Sequence, residues 1–290
     1  MIGGDTMKDL IKAIRDASMM NQEEFAQALG TTPVSINRWE NGKSKPNKMA
    51  QKQIYTFCKE HDIELAPIIL KQKTWPEPSE KLVLYHGSKE GIVGDIKPVS
   101  RSECDFGKGF YMGTTTLQPL TLVCAEDKPE FYTVELDLTG LKVLKVEIGL
   151  DWALLIAYYR KEMESAKGTP IYEKYAHFAD GYDMIIGYIA NDRMYTELSS
   201  FFNLTITDTA LIHCLSALDL GMQYVAVTQK ACDNIKILKE EALSDLELLV
   251  LQDMSIKRKK AGTEIAKQIE VKYRREGKYF DEILRGEYDE

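Results

Sequence analysis

Apolar positions from Met7 to about Ile69 recur at helical spacing, and beyond Leu82 the rhythm changes. Between the two lies KQKTWPEPSEK, Lys71 to Lys81, a polar stretch with two prolines that predicts a linker. From Leu82 onward, short runs rich in β-branched and aromatic residues predict strands: LVLYH (82–86), GFYMG (109–113), FYTVELDL (131–138), LKVLKVEI (141–148), YDMIIGYIA (182–190) and MQYVAV (222–227). Helices are predicted over 151–164, 192–202 and 208–219. Strands mixed irregularly with helices imply an α+β fold, not a regular βαβ repeat. Toward the end the chain is charged. There Ile265, Ile269 and Tyr273 recur every four residues, the narrow stripe of an amphipathic helix. This predicts a multidomain chain: a helical domain over 7–70, a linker over 71–81, an α+β domain over 82–240 and a charged helical tail over 241–290. The tail reads as a solvated helix packed on its own domain or on a dimer mate, or as a segment that folds on a partner.

The helical part has a specific local grammar in NQEEFAQALGTTPVSINRWENGKSKP. Asn21 suits a helix N-cap, with Glu24 three residues on completing a capping box. Phe25 and Leu29 lie one turn apart and face inward, and Gly30 ends that helix. Thr32 caps the next one, and Pro33 takes its first position, where a missing N–H costs nothing. Ile36 and Trp39 then face the core, leaving Val34, Asn37 and Arg38 outward. Two short helices joined by a tight turn form a helix-turn-helix. The spacing, Gln22 at the start of the first helix and RWENGKSKP after the second resemble the lambda-repressor-like, Xre-type DNA-binding family. That resemblance implies that the second helix enters the major groove. It makes Val34, Asn37 and Arg38 groove-facing, with Asn37 and Arg38 as base readers, and Gln22 and Lys43 as phosphate contacts. It also implies a homodimer on paired half-sites. Arg38, Lys43, Lys45, Lys48 and Lys52 against Glu40 make a local basic patch. A helical bundle that binds protein or dimerises is the alternative reading.

Composition narrows the remaining classes. The net charge of −8 excludes a generally basic surface, so any nucleic-acid contact must be local. Five scattered cysteines with no CxxC suit a reduced, cytoplasmic protein. The four histidines pair with no cysteine or histidine at ligand spacing, so no metal is expected. No apolar run approaches a membrane span, and the first residues lack a signal-peptide pattern.

The chemistry-bearing motifs of the α+β part are LYHGS (84–88), DFGKGFYMGTT (105–115), YDMIIGYIANDRMY (182–195) and MQYVAVTQKA (222–231). Glycines weaken strand interiors and mark places where backbone or ligand comes close. In this order the motifs resemble the diphtheria-toxin and poly-ADP-ribose-polymerase branch of the ADP-ribosyltransferase superfamily. They also resemble a bacterial family of ADP-ribosyltransferase-like domains long without an assigned function, over roughly Lys81 to Leu238. The resemblance implies a split mixed/antiparallel sheet and NAD as substrate. It implies His86 at the adenosine ribose, Gly87 pairing its backbone with the carboxamide, and Tyr111 stacked on nicotinamide. Gln223 replaces the archetypal glutamate. The resemblance further implies that Ser88, Gly107, Gly109, Phe110, Asn191 and Arg193 line the dinucleotide. Asn191 and Asp192 read equally as helix-capping residues.

The amide of Gln223 keeps hydrogen bonding but has no formal charge, which implies transfer of single units at most. Loss of one well-placed electrostatic group costs on the order of 3 kcal/mol. Another carboxylate would compensate. Glu197 is one candidate, whereas Asp105 reads as a turn residue and Lys108 as a solvated strand edge or a phosphate contact. Leu122 stands where the polymerases carry a second aromatic. The implied function is an NAD-dependent mono-ADP-ribosyltransferase with a macromolecular acceptor, as a toxin or antiphage effector that represses its own promoter. The alternatives are a transcriptional regulator with a degenerate NAD-sensing fold, and an NAD glycohydrolase.

Overall fold

The computed structural model describes residues 6–190, 194–217 and 220–286. Five helices come first: α1 (Thr6–Ala17), α2 (Gln22–Ala28), α3 (Pro33–Glu40), α4 (Lys48–Glu60) and α5 (Leu65–Lys73). The local grammar is realised. Asn21 accepts from Glu23 N and Glu24 N, and the Glu24 side chain returns to the Asn21 backbone. Thr32 accepts from Ser35 N, and Pro33 opens α3. Phe25, Leu29, Ile36 and Trp39 are buried with Leu10, Ile14, Ile54 and Phe57 in one core. Gly30 has φ +62°, the left-handed conformation glycine adopts without strain. Helix α5 continues through Lys73, so the segment expected to be linker from Lys71 begins inside a helix.

The rest is a mixed seven-stranded sheet with flanking helices. Its strands are β1 (Leu82–Ser88), β2 (Phe110–Gly113), β3 (Glu130–Leu136), β4 (Val143–Val146), β5 (Met184–Tyr188), β6 (Met222–Ala226) and β7 (Ile235–Ala242), in the order β4-β5-β6-β2-β1-β3-β7. Strands β4 and β5 pair in parallel; all other neighbours are antiparallel. The helices here are α6 (Leu117–Val123), α7 (Leu150–Tyr159), α8 (Pro170–Ala176), α9 (Met194–Phe202), α10 (Asp208–Leu215), α11 (Gln229–Asp233), α12 (Asp245–Lys272) and α13 (Phe280–Leu284). One sheet face packs on α7, α9 and α10 through Trp152, Leu155, Leu198, Phe201, Leu211 and Val225. The other face buries Leu84, Phe110, Met112, Tyr132, Val134 and Ile186.

Of the segment expected to be a tail, the described residues 241–286 are not separate from the rest. The first of these finish β7, and α12 joins the two parts of the chain. Leu246 and Val250 complete the core of the first five helices, while Leu251 packs with Tyr85, Leu120 and Phe131 of the second part. Gln51 Oε1 accepts from the Leu246 backbone N–H at 2.8 Å. Lys73 is 2% exposed, between Glu247 (2.9 Å) of α12 and Glu241 (3.2 Å) of β7. Sequence spacing pointed to the apolar stripe of this helix but not to its two-sided use. No described helix is long and apolar enough to cross a membrane.

Candidate functional site

Strands β6, β2 and β1 are neighbours, so Gln223, Tyr111 and His86 lie on three consecutive strands. The register sets their faces. Gly113 pairs with both Tyr85 and Gln223, and side chains alternate along each strand, which puts Tyr111 and Gln223 on one face. His86, one residue on from Tyr85, projects to the other face. The expected single compartment for all three side chains is therefore not found: the His86 side chain lies on the face opposite Tyr111 and Gln223. Imidazole and phenol belong to opposite faces and meet through the backbone.

That meeting point is where the sheet opens. β1 and β2 share a single register pair, Tyr85 with Gly113, although β1 continues beside β3 to Ser88 and β2 beside β6 to Phe110. In the opening, His86 Nδ1 lies 2.7 Å from the Tyr111 carbonyl oxygen. A carbonyl only accepts, so Nδ1 carries the proton. Burial lowers the imidazole pKa from 6.5 to about 4, against the raising effect of this bond. The ring is thus neutral near pH 7, and its Nε2 is an acceptor suited to a ribose hydroxyl. Because the folded pKa lies below the unfolded one, this histidine's contribution to stability is complete above pH 6.5. It is lost as pH falls through about 4. An NMR titration is expected to find the His86 midpoint near 4; a midpoint at 6.5 would contradict this environment.

Phe110 was expected to line the dinucleotide. It is instead a core residue, 6% exposed and stacked on His86 at 4.2 Å between ring centroids. Ser88 donates to the Gly91 carbonyl at 2.9 Å and so closes its own turn. The glycines are approached by the protein itself. A Cβ at Gly87 would meet the Pro119 carbonyl of α6 at 2.5 Å, and one at Gly107 (φ +72°) would meet the Tyr159 ring at 2.7 Å. A Cβ at Gly109 would strike Val225. Asn191, Asp192 and Arg193 lie outside the described residues.

Tyr111 and Gln223 enter a polar network. The Tyr111 hydroxyl donates to Gly107 O (2.7 Å) and accepts from Phe106 N (3.0 Å); burial, then the charge of Asp105, raises its pKa well above the ordinary value. Gln223 Nε2 donates to Asp105 Oδ2 (2.9 Å) and to Tyr188 O (3.2 Å). Asp105 Oδ1 accepts from Arg160 Nε (3.1 Å) and Nη2 (2.6 Å), and Arg160 Nη1 donates to the Tyr195 hydroxyl (2.7 Å). Burial works against the guanidinium charge, but Asp105 offsets it and the Arg160 pKa is raised.

Asp105 lies in a turn, as its sequence surroundings suggest, but its partners do not show in the sequence, and no local pattern marks Arg160. The partners are 118 and 55 residues from Asp105, so local spacing carried no signal. Glu197 is buried elsewhere, on α9. Its carboxylate, Cys214 Sγ and a Glu270 carboxylate lie within 4.8 Å of one another, close enough to share a cation. A groove of about 730 Å³ lies at the end of β4, lined by Val146, Leu150, Ile171, Phe178 and Ile283 among others.

In the first part of the chain, Val34 is 68% exposed, and Asn37, Arg38 and Lys43 are exposed beside it. Gln22 differs from the expected phosphate contact in being already engaged: its Nε2 donates to Glu40 Oε2 at 2.6 Å, and its Oε1 accepts from Asn37 Nδ2 at 3.4 Å. Glu40 is also paired with Arg15 at 2.6 Å, so its charge opposes the basic patch less than composition suggested. Arg38→Ala is expected to lower affinity for a cognate operator by about 1–3 kcal/mol and to relax preference at one base pair. Binding-site selection followed by titration would measure both.

These features define a class first: a DNA-binding-type helix-turn-helix joined to a mixed α/β domain. Residues 11–49 match the helix-turn-helix family model. Residues 82–237, more than half of the chain, match the family described as "Protein of unknown function (DUF3990)", and the chain belongs to that family. No curated protein and no solved structure matches it.

Proposed function

We propose that this protein is a DNA-binding mono-ADP-ribosyltransferase that uses NAD and modifies a macromolecule. The observation that carries the reading is the opening between β1 and β2. A neutral His86 spans it, with Tyr111 and Gln223 on the next two strands. His86 Nε2 accepts from the adenosine ribose, Tyr111 supports the nicotinamide ring, and Gln223 holds the nicotinamide ribose. The bond between the anomeric carbon and the pyridine nitrogen breaks, and its electron pair leaves with neutral nicotinamide. The acceptor's oxygen or nitrogen bonds to the anomeric carbon and releases its proton to solvent. The helix-turn-helix supports DNA binding, and a homodimer would match paired half-sites. A toxin or antiphage effector that represses its own promoter suits this pairing.

One observation favours a second reading. Gln223, at the strand position where a glutamate would carry charge, is neutral, as it would be in a domain that senses NAD without turning it over. Incubation with adenylate-labelled NAD and a cell lysate separates the readings. Label on protein or nucleic acid is expected. Free ADP-ribose and nicotinamide alone would indicate a glycohydrolase. Binding without turnover would indicate a sensor and defeat the transferase reading.

A further inference from the structure

Resting on the NAD reading of this face, we propose that Asp105, clamped by Arg160, is the positioning residue that makes Gln223 a one-directional hydrogen-bond acceptor toward the substrate ribose. A primary amide offers two N–H donors and one carbonyl oxygen, and its orientation follows from its partners. Here Gln223 Nε2 faces two groups that only accept, the Asp105 carboxylate at 2.9 Å and the Tyr188 carbonyl at 3.2 Å. The flipped amide would set oxygen against both of them. Both hydrogens are therefore committed, and Oε1 is left to accept from a ribose hydroxyl.

Asp105 is 5% exposed and cannot turn away, because Arg160 holds its other oxygen through two N–H groups and is itself held by Tyr195. A glutamate at position 223 would present an acceptor oxygen without help, since a carboxylate only accepts. The glutamine presents one because a carboxylate stands behind it. Asp105 acts through Gln223, and the reaction itself is the glycosidic cleavage described above.

The arrangement predicts a reciprocal exchange. In Asp105→Asn, Arg160 can only donate and keeps the asparagine oxygen, so Nδ2 turns toward Gln223 and sets a donor against Nε2; the amide loses the partner that fixed its orientation. Turnover is expected to fall on the order of tenfold or more, with a smaller change in KM. In Gln223→Glu, two carboxylates touch and one holds its proton to higher pH, so the pH–rate profile gains an inflection absent from the wild type. In the double variant Asp105→Asn/Gln223→Glu, the new amide donates to the new carboxylate, and turnover recovers toward wild type.

A merely structural Asp105 predicts no such rescue. A double variant no better than Asp105→Asn, or an Asp105→Asn enzyme with wild-type turnover, overturns the assignment and leaves the NAD reading standing. A wild-type protein that neither cleaves nor binds NAD overturns both. Should Asp105→Asn fail to fold, the Gln223 side-chain amide of the wild type decides by NMR. Amide protons that are both protected from solvent exchange, and stay protected when NAD is added, support the assignment; protons that exchange as fast as those of an exposed glutamine defeat it.

Discussion

His86→Ala is expected to lower NAD turnover by roughly 10²–10³-fold, the usual effect of deleting a preorganised polar contact in an active site. The substitution removes an Nε2 acceptor whose tautomer is fixed by the 2.7 Å bond to the Tyr111 carbonyl. It also removes the ring stacked on Phe110, so a second substitution is informative. Glutamine at 86 keeps bulk and a polar end but not the fixed acceptor, and it is expected to restore folding without restoring turnover. Steady-state assays with labelled NAD on both variants, with circular dichroism as the folding check, measure this. Wild-type rates in both would remove His86 from the site.

The second large effect concerns the junction. Lys73→Ala is expected to destabilise the protein by about 3–5 kcal/mol, because it leaves Glu241 and Glu247 poorly solvated and without their shared cation. Burial disfavours the Lys73 charge, and the two carboxylates more than compensate, raising its pKa. Urea unfolding would read the loss as a lower midpoint. Lys81→Ala removes a solvent-facing pair with Asp137 and is expected to leave the midpoint in place. Lys73 lies on α5, Glu241 on β7 and Glu247 on α12, so the variant also tests whether α12 locks the DNA-binding-type part to the sheet domain. If it does, both parts unfold together in the wild type and separately in the variant.

What could be read from the sequence was what short-range chemistry determines. Asn21, Thr32, Pro33, Phe25, Leu29, Ile36 and Trp39 each have a role fixed by neighbours within a few residues, and each takes that role. The glycines of LYHGS and DFGKGFYMGTT did mark close approaches. Spacing could not say that α6, Tyr159 and Val225 make those approaches. Strand β7 escapes a pattern-based reading because Lys236, Lys239, Glu240 and Glu241 interrupt its apolar positions. Such charges are common on an edge strand, where they discourage pairing with another chain. Lys73 and Asp105 have the sequence surroundings of a linker residue and a turn residue. Their burial depends on partners more than fifty residues away, and no local pattern reports it. The face of His86 follows from register, which the pairing of Gly113 with Tyr85 sets.

The most direct test of one dinucleotide site at the junction of β1, β2 and β6 is an NMR titration of the intact protein with NAD. Saturable shifts are expected at the His86 imidazole, the Gly87 amide, the Tyr111 ring and the Gln223 side-chain amide, all with one dissociation constant. Shifts confined to the groove around Val146, Ile171 and Phe178, or no shifts at all, would contradict a site there.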